Sequence, residues 1–336
     1  MNVGNATRLR APGVALIALC AAAPANGATF TTFDPTGSSF TLPAGINASG
    51  AITGFYVVSA QIAHGFVRAP DGTITIFDPH KATITNPAAI DDKGRICGKY
   101  TTKTRLHERA FVRHADGTIT VFDPPHATQS WAVGFDRQGN VAGSFADHVI
   151  KARGFIRSTD GKIAVFDYPS ALATSVGSIN KGGTIAGLYV SSDYVYHGFI
   201  RAPDGTLTSF DAPNATGTAG DSVNDDGTVT GEYFDANDND HGYVRASDGT
   251  ITTFDPKYSV ETQPVDIDAH GAITGYYQTS DGVTHGFIRK PDGTIGSFDD
   301  PDAAKTTMPI GMNRSGIVTG GFTDANSIMH GFIRSK

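Results

Sequence analysis

A unit of 44 or 45 residues recurs along almost the whole chain, and this constrains the fold more than any local propensity. Gly-Phe-Ile-Arg or a near copy ends at Arg68, Arg113, Arg157, Arg201, Arg245, Arg289 and Arg334. Phe-Asp recurs at Phe33, Phe77, Phe122, Phe166, Phe210, Phe254 and Phe298. A third marker, an apolar residue followed by Asn or Asp and then x-x-Gly, ends at Gly50, Gly94, Gly139, Gly183, Gly227, Gly271 and Gly316. Seven copies of each marker leave almost nothing of residues 28–336 for a second domain.

Each unit reads as four short strands. The third and fourth are joined by Asp-Gly turns such as Pro70-Asp71-Gly72-Thr73, in which Pro presets φ, Asp tolerates the second position and Gly supplies the left-handed residue. The flanking segments, Gly198-Phe199-Ile200-Arg201 and Leu207-Thr208-Ser209-Phe210 among them, are rich in β-branched and aromatic residues. The second strand carries a Gly at a fixed place, from Gly54 to Gly320. Such a Gly marks the close approach of another backbone or a large ring, which suggests that neighbouring units touch there. A single unit cannot bury enough apolar surface to fold alone, so the units must bury their faces on one another.

The chain ends sharpen the expectation. The last unit stops after its third strand at Phe332-Ile333-Arg334, whereas residues 28–34 read as an orphan fourth strand. Six Asp-Gly turns for seven units fit a circular arrangement that leaves no open edge. The sequence therefore predicts an all-β protein: a seven-bladed β-propeller, four strands per blade, with the last blade closed by the N-terminal strand.

Residues 1–27 have the order of a secretory signal: Arg8 and Arg10, an apolar run from Val14 to Ala23, then small residues up to Gly27. The apolar run is too short to span a bilayer, so no transmembrane segment is expected. The organisation is thus a signal peptide over 1–27 and one propeller domain over 28–336, secreted or periplasmic after cleavage. Cys20 falls within the leader, and Cys97, in a strand pattern, is expected to be packed rather than reactive.

The order His-Gly-Phe, Asp-Gly-Thr, Phe-Asp-Pro and Ile-Asn-x-x-Gly-x-Ile-x-Gly-x-Tyr resembles the tandem extracellular repeats of secreted bacterial proteins, the HAF-type repeat group among them. The chain departs from that pattern where Arg109 and Arg153 replace His in the second and third copies. The resemblance implies an exported, propeller-like protein and carries no particular activity.

Candidate functional residues follow from the repeat. The column His64, His197, His241, His285 and His330, with Arg109 and Arg153, diverges around a ring and is read as structural, each member hydrogen-bonded to a nearby turn or Asp. The second-to-third and fourth-to-next loops vary, so that face is expected to hold a site. Near the start of the innermost strand the copies carry Leu42, Asn86, Trp131, Ser175, Ala219, Gln263 and Met308, a column expected to ring the channel mouth. Trp131, the one Trp of the sequence, is placed to stack on a sugar or another planar ligand. Lys103, Arg105, His107, Glu108 and Arg109 form a basic cluster suited to a carboxylate or sulfate. Asp235, Asn237 and Asp240 sit in a loop of alternating oxygen ligands that makes a Ca²⁺ candidate, though without the Gly and distal Glu of an EF-hand.

No nucleophile elbow, His-Glu-x-x-His, phosphate loop or dinucleotide fingerprint occurs. A formal charge of −7 offers no basic stripe for nucleic acid. The resulting expectation is a monomeric binding or protein-interaction scaffold with a glycan or protein ligand and no cofactor. A polysaccharide lyase or glycosidase working from the channel mouth is the alternative, because a carboxylate pair placed by the fold leaves no sequence motif.

Overall fold

The computed structural model describes residues 27–149 and 151–336, without the side chains of Arg105 and Leu106. The expected leader over 1–27 falls almost wholly outside the described residues. Among these residues there are 29 strands and no α-helix.

Each repeat forms one antiparallel four-stranded unit. In the first copy the strands are Phe40–Ile46, Ile52–Ser59, Ile62–Arg68 and Ile74–Phe77, paired in that order. The fifth copy differs, because its first strand is broken into Gly217–Thr218 and Ser222–Val223, both paired with Val229–Phe234. The last copy takes its fourth strand from the other end of the chain. Thr29–Phe33 runs antiparallel to Met329–Ser335, from Thr29 opposite Ser335 to Phe33 opposite Gly331.

The recurrent strand glycines answer chiefly to a close approach inside each unit, and Gly187 is also met by the next copy, its carbonyl accepting from the Gly220 N–H at 3.3 Å. A Cβ on Gly54, Gly143 or Gly320 would collide with the carbonyl oxygen of Leu42, Trp131 or Met308, each on the first strand of the same unit. There the first strand bulges, as between Pro43 and Gly45 or Ala132 and Gly134, and pushes its backbone against its neighbour.

Contact between units is made by side chains. The third-strand rings Phe66, Phe111, Phe155, Phe199, Tyr243, Phe287 and Phe332 are fully buried. Each meets the Phe of the preceding copy's Phe-Asp edge-on, at centroid separations of 5.9 to 6.5 Å, as Phe66 does with Phe33 and Phe332 with Phe298. The same Phe also carries the repeat Arg over its ring. Seven guanidiniums, Arg68 over Phe33 through Arg334 over Phe298, stand 4.7 to 5.2 Å from the ring centroids. Burial lowers the Arg68, Arg113, Arg201, Arg289 and Arg334 guanidiniums from their usual range. Stacking on the ring face in part offsets their loss of water.

The His and Arg column pairs with Asp in every copy. His64–Asp78, Arg109–Asp123, Arg153–Asp167, His197–Asp211, His241–Asp255, His285–Asp299 and His330–Asp34 lie 2.6 to 3.1 Å apart. The Asp also reaches the next copy in places: Ser130 donates to Asp123 at 2.7 Å and Thr262 to Asp255 at 2.6 Å. A ring from the second strand lies against each His, with centroids 5.0 to 5.4 Å apart, stacked at His197 and His241 and tilted at His64, His285 and His330. Cys97 is buried, and burial pushes its thiol upward, as suits a packed residue.

Candidate functional site at the marker turns

The marker turns build the site. In each, the side-chain oxygen of Asn or Asp accepts backbone N–H groups of its own turn, as Asn47 does from Ser49 and Ala51 and Asp268 does from His270 and Ala272. Where the marker is Asn, its amide is free to reach the next copy. Asn47 donates to the Asp91 carbonyl, Asn180 to Asn224, Asn224 to Asp268, and Asn313 to Asn47. The last of these joins the seventh copy to the first.

A cavity of about 620 Å³ is lined by the same turn from all seven copies. The residue after each marker stands at its rim: Ala48, Asp92, Arg137, Lys181, Asp225, Ala269 and Arg314. Lys181 Nζ lies 2.9 Å from Asp92 Oδ2, a contact between the second and fourth copies. Burial alone would raise the Asp92 carboxyl, but Lys181, the Ala48 N–H and the Arg314 charge hold it below the usual range. Asp266 also lines the cavity, accepting from Met312 N at 2.9 Å and Ser222 Oγ at 3.1 Å, and burial pushes its carboxyl up.

The sequence-derived candidates lie elsewhere. Leu42, Asn86, Trp131, Ser175, Gln263 and Met308 sit on first strands, Ala219 lies in the break between Gly217–Thr218 and Ser222–Val223, and none of the seven lines this cavity. Trp131 is half-buried opposite Ser144, Asn86 lies opposite Lys99, and Met308 opposite Gly321. Leu42 covers Gly321 of the last copy. His107 is exposed, Glu108 pairs with Lys99 at 2.7 Å, and the Arg105 side chain lies outside the described residues.

Gln263 takes part in a second cluster. Its amide donates to Asp240 Oδ2 at 2.7 Å and its Oε1 accepts from Tyr276 at 3.2 Å. Nearby, Asp221 occupies the bulge of the fifth copy, against Gly231. Burial pushes Asp221 up to about 7 and, with the Asp221 and Asp240 charges, Glu232 up to about 7. In the proposed Ca²⁺ loop, Asp235 Oδ1 accepts from the Asn237 and Asn239 backbones. No group of three or more His, Cys, Asp or Glu among the described residues is arranged to hold a metal.

The rim was the part that sequence reasoning passed over. The turns are uniform in length, but the residue after the marker changes from Ala to acid to base, and that variation was its signal.

No family model matches the sequence, and no curated protein matches it. Solved structures do resemble the fold. Virginiamycin B lyase from Staphylococcus aureus aligns with a TM-score of 0.64 at 14% identity, over 92% of this chain and 100% of that one. The β-propeller domain of the Trilobed protease from Pyrococcus furiosus, described as having an open velcro topology, aligns with a TM-score of 0.64 at 11% identity, over 88% and 95%. The chain folds as a β-propeller. TolB from Acinetobacter baumannii aligns more distantly, with a TM-score of 0.50 at 9% identity, over 85% and 80%. At these identities the propeller fold is what is shared. Among the described residues no helix is long and apolar enough to cross a membrane.

Proposed function

We propose that the seven repeats close into one ring, a seven-bladed propeller completed by the N-terminal strand. In this reading the chain is exported and serves as a binding scaffold whose ligand enters at the marker-turn mouth of the channel. The pairing of Thr29–Phe33 with Met329–Ser335 and the Asn313 to Asn47 hydrogen bond support closure. The cavity carries the binding reading: about 620 Å³, polar at its rim and reached by every copy, it falls within the range of small-molecule sites. Glycan-array binding of the full chain, repeated with Arg137→Ala plus Lys181→Ala and with Trp131→Ala, tests it. Binding is expected to fail in the first variant and persist in the second. The opposite pattern moves the site to the Trp131 end.

A carbohydrate-active enzyme is the second reading, favoured by Asp221 and Glu232. Two half-buried carboxyls held near neutrality beside Tyr276 have the protonation that general acid–base chemistry asks for. Product analysis on acidic and neutral polysaccharides decides it. Turnover that Glu232→Gln abolishes favours the enzyme, and no turnover on any substrate removes this reading.

A further inference from the structure

We infer that the mouth binds the carboxylate of an acidic sugar on the arc formed by Ala269, Arg314 and Ala48. This rests on the binding reading above and names the ligand class of that same site. The argument comes from what equivalent positions hold in other copies. The Ala48 N–H donates to Asp92 Oδ1 at 2.9 Å, and the Lys181 N–H donates to Asp225 Oδ1 at 3.0 Å. In both cases the carboxylate comes from the rim residue of the following copy. Successive marker turns are therefore spaced so that a carboxylate fits on a backbone N–H between them. The Arg137 N–H is engaged differently, by the Lys181 carbonyl at 3.1 Å.

From the sixth copy round to the first, the residue after the marker is never a carboxylate, although Asp266 and Asp268 of the sixth copy line the cavity. Ala269 is followed by Arg314, and Arg314 by Ala48. The Ala269 and Arg314 N–H groups have no protein acceptor among the described residues. Two methyl side chains leave the arc open, and a guanidinium stands between them. An outside carboxylate placed as Asp92 and Asp225 are placed elsewhere would accept a backbone N–H and charge-assisted bonds from Arg314. The rest of the cavity wall favours hydroxyls over a bare anion. Ser178, Ser222 and Asp266 line it, and the Ser222–Asp266 hydrogen bond already shows that wall accepting from a hydroxyl.

The test is calorimetric titration of the full chain with trigalacturonate and with its fully methyl-esterified form, which keeps the sugar and removes the charge. The acid is expected to bind at least about tenfold more tightly than the ester. Arg314→Gln should weaken the acid by a similar factor and leave the ester unchanged. Ala48→Asp, which offers the Arg314 N–H an internal carboxylate, should also exclude the acid, whereas Ala48→Asn should do so less; circular dichroism checks that each variant is folded. Equal binding of acid and ester that Arg137→Ala plus Lys181→Ala still removes overturns this inference and keeps the mouth as the site. Acid binding that no rim variant alters overturns both. Failure of both sugars to bind overturns the inference alone.

Discussion

His330 Nδ1 lies 2.7 Å from Asp34 Oδ2, across 296 residues of sequence. This contact belongs to the same column that ties His64 to Asp78 within one unit. At the seam the two partners come from opposite ends of the chain. Burial alone would lower the His330 pKa, but the Asp34 and Asp324 carboxylates raise it above its usual value. A raised His pKa gives stability that is fully present below the unfolded value, about 6.5, and is lost as pH rises through the folded value. Denaturation of the full chain and of Asp34→Asn is therefore expected to differ most near pH 6 and to converge at alkaline pH. A gap that stays constant with pH would remove the charged His330 from the account.

Asp221 gives a curve of the same sign as His330, the reverse of what a salt-bridged carboxyl gives. Its folded pKa, about 7, lies above the ordinary carboxylate value. The folded state then holds the extra proton, so stability falls as pH rises from the unfolded pKa, about 3.9, toward 7. Asp221→Asn should be more stable than the parent at pH 8, with the difference shrinking toward pH 4. Thermal unfolding across that range measures it.

The rings between units should dominate stability. Phe199, fully buried against Phe166 of the preceding copy, is expected to cost about 3–5 kcal/mol on truncation to Ala. Arg201→Ala, which removes the guanidinium over the Phe166 ring, should cost only about 0.5–1 kcal/mol. Urea denaturation of the two variants gives the ratio, and equal losses would contradict the packing order.

Glycine positions should separate sharply. Gly143→Ala would drive a methyl into the Trp131 carbonyl and the Phe155 ring, and a loss of about 2 kcal/mol or more is expected. Gly296 has nothing within reach of an added Cβ, so Gly296→Ala should stay within about 0.5 kcal/mol of the parent. Melting temperatures of the pair check this.

Much of the architecture was legible from spacing alone. The Phe-Asp and Gly-Phe-Ile-Arg markers recur because each makes the same contact with the neighbouring copy, so periodicity and packing carry one signal. The His column was readable as structural for the same reason, since an identical partner Asp follows in every unit. The strand glycines were readable as a close approach, but not as one made within the unit, because the bulge at Pro43 or Ala132 has no signature apart from its pairing. The cavity was harder. Trp131 is unique in the sequence, yet uniqueness does not say which end of a channel is open. Arg314, Ala48 and Ala269 become meaningful only once the turns are set side by side. Asp221 shows the same limit, because a carboxyl where the other copies carry Ala44, Ala88, Val133, Gly177, Val265 and Ile310 is visible in the sequence but its burial is not.

The pairing of Thr29–Phe33 with Met329–Ser335 also imposes a timetable on biogenesis. Among the described residues this strand pairs only with one far along the sequence, so its hydrogen-bonding groups stay unmatched until Met329–Ser335 has been made. Throughout that interval the nascent molecule carries a bare β-edge able to recruit other chains, and any factor that shields residues 29–33 should raise the yield of correctly assembled protein.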